Sequence, residues 1–373
     1  MKLTVNTQGL LNAVSIAAQF QNNEGDYANT ICISGEDNMI EVKASNNRQA
    51  VHMKGLPFNA YVLTEDSFSG VSIESKKLIS MLKATKSIDT VIDFEKSGVE
   101  VKCGRSKAKI ALQENVQTFS EHTGEKTLQI DSDLIGHFEK ALHSIDRDNP
   151  KYELNGLNLV IKDKKLSIAS TDTRRLTISQ SSVEYDDMDI IVPKEAVSSI
   201  TKLFNGCSVS ASISENFLVI NTETISFTTN LISGSFPDWK RIVPSDVKHK
   251  ITIGRTFLQD IIKDATLFES DIALIFTEET LHIHDLEKTL YVQEDFVTGI
   301  EETFFVGVNG KYLLDFLGSC GDETVEFHYA AENLPFLLKA GDYQEVIMPI
   351  NSIEVDIPSK QDEQEAPNVE LVA

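Results

Sequence analysis

The spacing of apolar residues switches at regular intervals along this chain. In the stretch 127–142, TLQIDSDLIGHFEKAL, Leu128 and Ile130 alternate as in a half-buried strand. Leu134, Phe138, Ala141 and Ile145 then recur at the spacing that lines up one face of a helix. Asp131 and Ser132 stand at the switch, where side-chain oxygens satisfy the first free N–H groups of a helix. The same switch opens 2–14 (KLTVNTQGLLNAV) and 250–265 (KITIGRTFLQDIIKDA), at intervals of about 125 residues, a domain-sized period.

Between these starts the pattern repeats in finer detail. The first third predicts a helix over 8–20 and strands over 30–34, 39–44 and 49–53. A second strand and helix follow from 71 (VSIESKKLISMLKAT), with Ser75 as the expected cap, then strands over 90–95, 99–103 and 107–112. The middle third gives strands over 156–162, 165–170 and 175–179. Its second strand–helix pair, IIVPKEAVSSITKLF at 190–204, puts Pro193 at the first helical position, and strands over 209–213, 217–221 and 225–230 close it. The last third predicts a helix over 256–268, strands over 272–276, 280–284 and 289–293, the pair FFVGVNGKYLLDFL at 304–317, and strands over 325–329, 336–340 and 345–350. Each third thus reads as a doubled strand–helix unit, an α+β architecture. The expected domains are 1–122, 123–246 and 247–350, followed by a disordered acidic tail at 351–373.

Composition narrows the function. With 57 acidic residues against 34 Lys and Arg, the net charge of −23 opposes ordinary nucleic-acid binding, which gains affinity from cations neutralising phosphates. A protein held on DNA by topology is exempt from that objection. The four cysteines (Cys32, Cys103, Cys207, Cys320) lie far apart and read as small buried thiols rather than a zinc site or a disulfide frame. The first residues lack a secretory signal pattern, and no apolar run approaches the roughly 18 residues of a spanning helix. The expectation is a cytoplasmic protein with no membrane partner.

Several local words occur in one order. Asn155-Gly156 leads into Leu166-Ser167-Ile168-Ala169-Ser170-Thr171-Asp172 and Arg175-Leu176. Ile191-Val192-Pro193-Lys194 follows, then LISGSFPDWKRIVP at 231–244, Val308-Asn309-Gly310-Lys311-Tyr312, and Val346 to Pro349 (VIMP). Together with the triple repeat, they resemble the bacterial sliding clamps, the beta subunits of the replicative DNA polymerase, over residues 1 to about 350. The resemblance implies the DNA clamp fold: three similar domains, each with two helices backed by antiparallel sheets. It implies a head-to-tail homodimer closed into a ring around duplex DNA, without sequence preference and without catalysis. Implied partners are the DNA polymerase catalytic subunit, an ATP-driven clamp loader and other proteins carrying clamp-binding peptides. No cofactor and no metal are implied.

The resemblance also nominates residues. A peptide-binding cleft is expected from Thr171, Thr173, Arg174, Arg175, Leu176, Pro237, Arg241, Ile242, Asn309, Tyr312, Val346, Met348, Pro349 and Ile350. Thr173 and Arg174 stand where the family has Gly-His, which predicts a bulkier, more positive floor. The bland reading is that Leu176, Ile242 and Met348 are core. DNA contact is expected from Lys77, Lys194, Lys202 and Lys311, against the bland reading of solvated helix faces. The ring joint is expected from Arg105, Lys107, Ala108, Ile110, Leu267 and Glu294, a basic edge meeting an acidic one. Enzyme chemistry is weakly represented. His282 and His284 share a strand face, expected to be exposed, and have no third ligand in sequence. A clamp-like adaptor that binds proteins without encircling DNA is the alternative. The tail ends in Val369-Glu370-Leu371-Val372, two apolar anchors after an acidic spacer, and is expected either to visit a clamp cleft or to act as a solubilising segment.

Overall fold

A computed structural model describes residues 2–22, 24, 28–36, 39–62, 68–95, 98–113, 122, 124–245 and 247–350. The acidic segment 351–373 lies outside the described residues. Six helices occur among the described residues: α1 (Thr7–Ala17), α2 (Ser75–Ala84), α3 (Ser132–Leu142), α4 (Lys194–Phe204), α5 (Arg255–Ala265) and α6 (Gly310–Ser319). Each is entered from a strand, directly or after one residue. Short polar side chains fix three of the entries. Asn6 Oδ1 accepts from Gly9 N at 2.9 Å, Asp131 Oδ1 from Leu134 N at 3.0 Å and Asn309 Oδ1 from Lys311 N at 3.1 Å. Ser75 departs from expectation. It is fully buried and its hydroxyl donates to Gln21 Oε1 at 2.7 Å, so it ties the helix start to the segment just after α1 rather than capping α2.

The chain divides into two compact units, one of Met1–Leu134 with Lys202–Ser233 and one of Ile135–Thr201 with Gly234–Ala373. In the first, the long strand Gln49–Val62 changes partners along its length. Its first part pairs with Ile225–Asn230 and its last part with Lys2–Asn6, both antiparallel. Gly55, at φ +74°, sits between the two pairings, a backbone state that L side chains resist. Leu3, Leu10, Val14, Ile33, Leu78 and Ile92 fill the core, and Phe227 meets Phe20 edge to face at 5.7 Å.

The second unit holds an eight-stranded antiparallel sheet in the order Met188–Pro193, Gly156–Lys162, Lys165–Thr171, Arg175–Ser182, Tyr343–Ile347, Phe336–Ala340, Thr324–Tyr329, His249–Gly254. Its central junction pairs strands from distant parts of the chain, Arg175 opposite Ile347 and Leu176 opposite Val346. A four-stranded sheet runs Tyr291–Asp295, Thr280–Asp285, Asp271–Phe276, Phe304–Asn309. The closing strand ends at Ile347 instead of continuing to 350. Met348 N then donates to Arg174 O at 2.9 Å and Ile350 N to Gly307 O at 2.8 Å, so 348–350 leave the ladder while staying tethered. Helix α5 stops at Ala265, where Thr266 N and Oγ1 both donate to Ile262 O, leaving Leu267 and Phe268 outside the helix.

Helices α5 and α6 approach closely at Gly310. A Cβ there would lie 2.5 Å from Thr266 Cγ2 and 3.1 Å from Ile272 Cδ1. Both neighbours are held by packing, so Gly310→Ala is expected to destabilise the second unit by about 1–3 kcal/mol, the usual cost of overpacking, read from urea unfolding. An unchanged midpoint would refute this close approach.

Candidate functional site

The loop 171–175 joins two central strands of the eight-stranded sheet and is shaped by its own polar side chains. Thr171 Oγ1 donates to Arg175 O at 2.6 Å and accepts from Thr173 N at 3.0 Å. Asp172 Oδ1 accepts from both Arg174 N and Arg175 N at 3.0 Å. The resulting turn puts Thr173 at φ +75°, a costly state for a β-branched residue.

Arg175 leaves this loop pointing inward and is 6% exposed. A buried guanidinium needs partners for its donors, and this one has them on every side. Nε donates to Asp172 Oδ2 at 3.0 Å, Nη1 to Asp315 Oδ2 at 2.8 Å and Nη2 to His143 O at 3.0 Å. Its face lies over the Tyr312 ring at 4.4 Å. Glu345, fully buried, places Oε1 3.7 Å from Nη1 and accepts at Oε2 from His143 Nε2 at 2.8 Å and Thr177 Oγ1 at 3.2 Å. Burial opposes the arginine's charge, but Glu345, Asp315 and Asp172 outweigh it and hold its pKa above the usual value. Burial and the nearby Asp172 push the Tyr312 hydroxyl's pKa up.

Beside this charged cluster lies an apolar one. Leu176, Ile178, Ala169, Leu337 and Val346 pack with Trp239 from the segment after Gly234, and Phe236 and Val243 lean against them. The expected cleft residues therefore separate into two groups. Arg175, Leu176 and Val346 are buried foundations, at 6%, 2% and 1% exposure. Ile242 and Met348, at 46% and 41%, present apolar surface to solvent, so the core reading holds for Leu176 and fails for these two. Thr173, Arg174, Pro237 and Arg241 are exposed around them, and Thr171, Asn309, Tyr312, Pro349 and Ile350 are half-buried. Arg241 is paired with Asp238 at 2.8 Å, and Asn309 Nδ2 donates to Asp271 Oδ1 at 2.7 Å. Sequence reasoning missed Asp172, His143, Asp315, Glu345 and Trp239. Only Asp172 had a local signal, an Asx turn beside Thr171.

The lysines divide similarly. Lys202 and Lys311 are exposed, while Lys77 pairs with Glu74 at 2.7 Å. Lys194 is half-buried at the start of α4, and its ammonium donates to the Ile145 carbonyl. Burial, with Arg147 beside it, pulls its pKa down. Of the joint residues, Arg105, Lys107, Leu267 and Glu294 are exposed and Ala108 is half-buried. Ile110 corrects expectation: at 2% exposure it faces the core of its own unit and offers no surface to a joint.

His282 and His284 also differ from expectation. Their strand face is buried, at 0% and 4% exposure, because both faces of Thr280–Asp285 are covered. His282 bonds to Thr280 Oγ1 at 2.7 Å and to the Tyr291 hydroxyl, and His284 Nδ1 lies 2.7 Å from Asp285 O. No group of three metal-ligating side chains exists among the described residues. Cys32, Cys103 and Cys320 are buried as expected, whereas Cys207 is exposed. No helix among the described residues is long and apolar enough to cross a membrane.

The paired strand–helix units and the sheets shared between distant segments define a class, the α+β clamp fold. Residues 131–238 match the family model for the central domain of the DNA polymerase III beta subunit. The beta sliding clamp of Helicobacter pylori (strain ATCC 700392 / 26695) is 25% identical over 360 residues, covering 91% of this chain and 94% of that one. That of Rickettsia felis is 24% identical over 386 residues, covering 94% and 99%. Among solved structures, the H. pylori beta clamp bound to a DNA ligase peptide superposes with TM-score 0.85 at 23% identity, covering 94% of this chain and 100% of that one. The Pseudomonas aeruginosa DNA polymerase III subunit beta gives 0.83 at 20% identity over the same shares. Residues 131–238 thus match the DNA polymerase III beta-subunit family, and over nearly its whole length the chain is similar to bacterial beta sliding clamps, whose fold it shares.

Two outcomes test the site's construction. Arg175→Ala leaves the Glu345 carboxylate buried without its cation and is expected to cost about 3–5 kcal/mol. Trp239, the only tryptophan, lies in the adjoining cluster and reports the unfolding by fluorescence. A loss under about 1 kcal/mol, the scale of an exposed pair, would contradict the burial. Thr173→Gly removes the left-handed strain and is expected to raise stability by about 0.5–1 kcal/mol after the glycine's entropy cost. A lower urea midpoint would contradict that strain.

Proposed function

We propose that two copies of this chain close head to tail into a ring that encircles duplex DNA, slides along it, and tethers the replicative polymerase. The chain is a non-catalytic accessory subunit acting in the cytoplasm. Three similar domains, 1–122, 123–246 and 247–350, supply half the ring, and an ATP-driven loader opens it.

One observation supports the reading best: complementary, incompletely paired strand edges. Ser106–Ile110 pairs on one side only among the described residues and exposes Lys107, which pairs with Glu100 at 2.7 Å, and Lys109, with exposed Arg105 just before it. Tyr291–Asp295 likewise pairs on one side and exposes Glu294 and Asp295. Open strand edges invite another strand, and basic against acidic selects head-to-tail pairing over like-with-like. Leu267 and Phe268, at 70% and 71% exposure, are large apolar side chains that a joint would cover. Leu267 takes the apolar role that Ile110 does not.

In the cleft, a partner's short extended peptide lays apolar side chains on Ile242 and Met348, with Arg174 and Arg241 at the rim. An apolar groove with a few cations suits such a peptide. Lys202 and Lys311 meet phosphates without reading bases. Lys194 is committed to the Ile145 carbonyl and Lys77 is partly neutralised by its surface pair with Glu74, which favours weak electrostatic contact and a hold that is topological.

The test is retention. Loaded on a nicked circular plasmid by a clamp loader, the protein is expected to stay through gel filtration and to be lost when the plasmid is linearised. Equal retention on both would support the non-encircling adaptor instead.

A further inference from the structure

One large feature of the chain has no role in this reading: the acidic segment that follows Ile350. Met348 and Ile350 are the last tethered residues before it, held by Arg174 O and Gly307 O, and both are candidate cleft residues. The chain therefore enters 351–373 directly from residues of the proposed cleft. That segment carries Glu354, Asp356, Asp362, Glu363, Glu365 and Glu370 against one cation, Lys360, and then Val369, Leu371 and Val372. The groove offers the complement. Ile242 and Met348 are its exposed apolar residues. Arg174, Lys240 and Arg241 are exposed near them.

We propose that Val369-Glu370-Leu371-Val372 folds back onto this cleft in the same chain and competes with partner peptides, the acidic spacer being drawn to the Arg174 and Arg241 rim. The inference rests on the peptide-cleft reading above and adds an occupant that the chain itself carries. Residues 351–368 form the spacer. A random coil of that length has a root-mean-square span of about 23 Å and a contour limit of about 60 Å. That reach far exceeds the distance needed to return to its own origin. Tethering at this length sets an effective concentration on the order of millimolar. A tail peptide with an intrinsic Kd near 0.3 mM, on the order expected of two small anchors, would then weaken partner binding by about fourfold. Such a contact yields to a tighter partner and filters out weak ones. Salt is expected to relieve it in part, because the exposed cations and carboxylates are screened within about 8–10 Å at physiological ionic strength.

The experiment uses the full chain, with a fluorescein-labelled copy of the DNA ligase peptide co-crystallised with the H. pylori clamp as probe. Its Kd is measured by anisotropy for the parent chain and for the variant Val369→Ser, Leu371→Ser, Val372→Ser, which keeps the length and charge of the tail. The variant is expected to bind the probe about threefold to fivefold tighter at low salt, with the difference shrinking at 0.5 M NaCl. A benzophenone photo-crosslinker at position 371 is expected to attach within its own chain, to peptides carrying Ile242 or Met348, independent of protein concentration. Met348→Asp serves as the cleft control and is expected to lose the probe in both backgrounds. Equal Kd values for parent and variant, with the control still losing the probe, would overturn the tail proposal and leave the cleft reading standing. Crosslinks only between chains would overturn it in favour of a tail acting on a second copy. Probe binding that Met348→Asp leaves untouched would overturn the cleft reading itself, and the tail proposal with it.

Discussion

The buried guanidinium of Arg175 is the constraint around which the second unit is built. A cation at 6% exposure persists only where its donors are met, and here they are met by residues from separate parts of the sequence. Asp172 comes from its own loop, His143 from beyond α3, Asp315 from α6 and Glu345 from the closing strand. Satisfying one side chain therefore fixes four segments at once. It also sets the register in which Arg175 faces Ile347 and Leu176 faces Val346. Along this sheet a one-residue slip would turn both the arginine and its apolar neighbours to the wrong face.

That junction explains why the neighbouring surface is shaped as it is. Because Leu176 and Val346 are buried foundations, the chain after Ile347 and the segment after Trp239 are left to supply the exposed apolar residues, Met348 and Ile242. The closing strand stops two residues short of Pro349, and the freed residues are held by single backbone bonds to Arg174 and Gly307. Exposed side chains on segments tethered beside a packed sheet are suited to receiving a peptide at low ordering cost. The strained Thr173 belongs to the same device: its left-handed backbone turns Arg174 outward while Arg175 turns inward.

The charge of the protein fits the proposed mode of action once its distribution is considered. A net −23 would expel an ordinary binder from DNA, yet a ring needs no strong attraction and slides more freely without it. Exposed cations are spread over the surface, and those at the Ser106–Ile110 edge, at Arg174 and Arg241, and at Lys202 and Lys311 stand where the proposed assembly would meet an anion: an acidic strand edge, an acidic peptide spacer, or phosphate.

Sequence alone determined the elements and the repeat. The alternating and helical periodicities, with Asn6, Asp131 and Asn309 at the switches, specify where strands hand over to helices, because capping and amphipathicity are local. The strands 209–213, 217–221, 225–230 and 336–340 appear with the bounds their patterns predict. The tertiary structure decided which faces are covered. Periodicity is blind to whether a neighbour will bury a polar face, so His282 and His284 looked exposed and Ile110 looked available, although each lies in a core. Ser75 looked like a cap until Gln21 took its hydroxyl. Above all, the partners of Arg175 lie up to 170 residues away, and no local pattern announces an ion pair that exists only after distant strands have been brought into register.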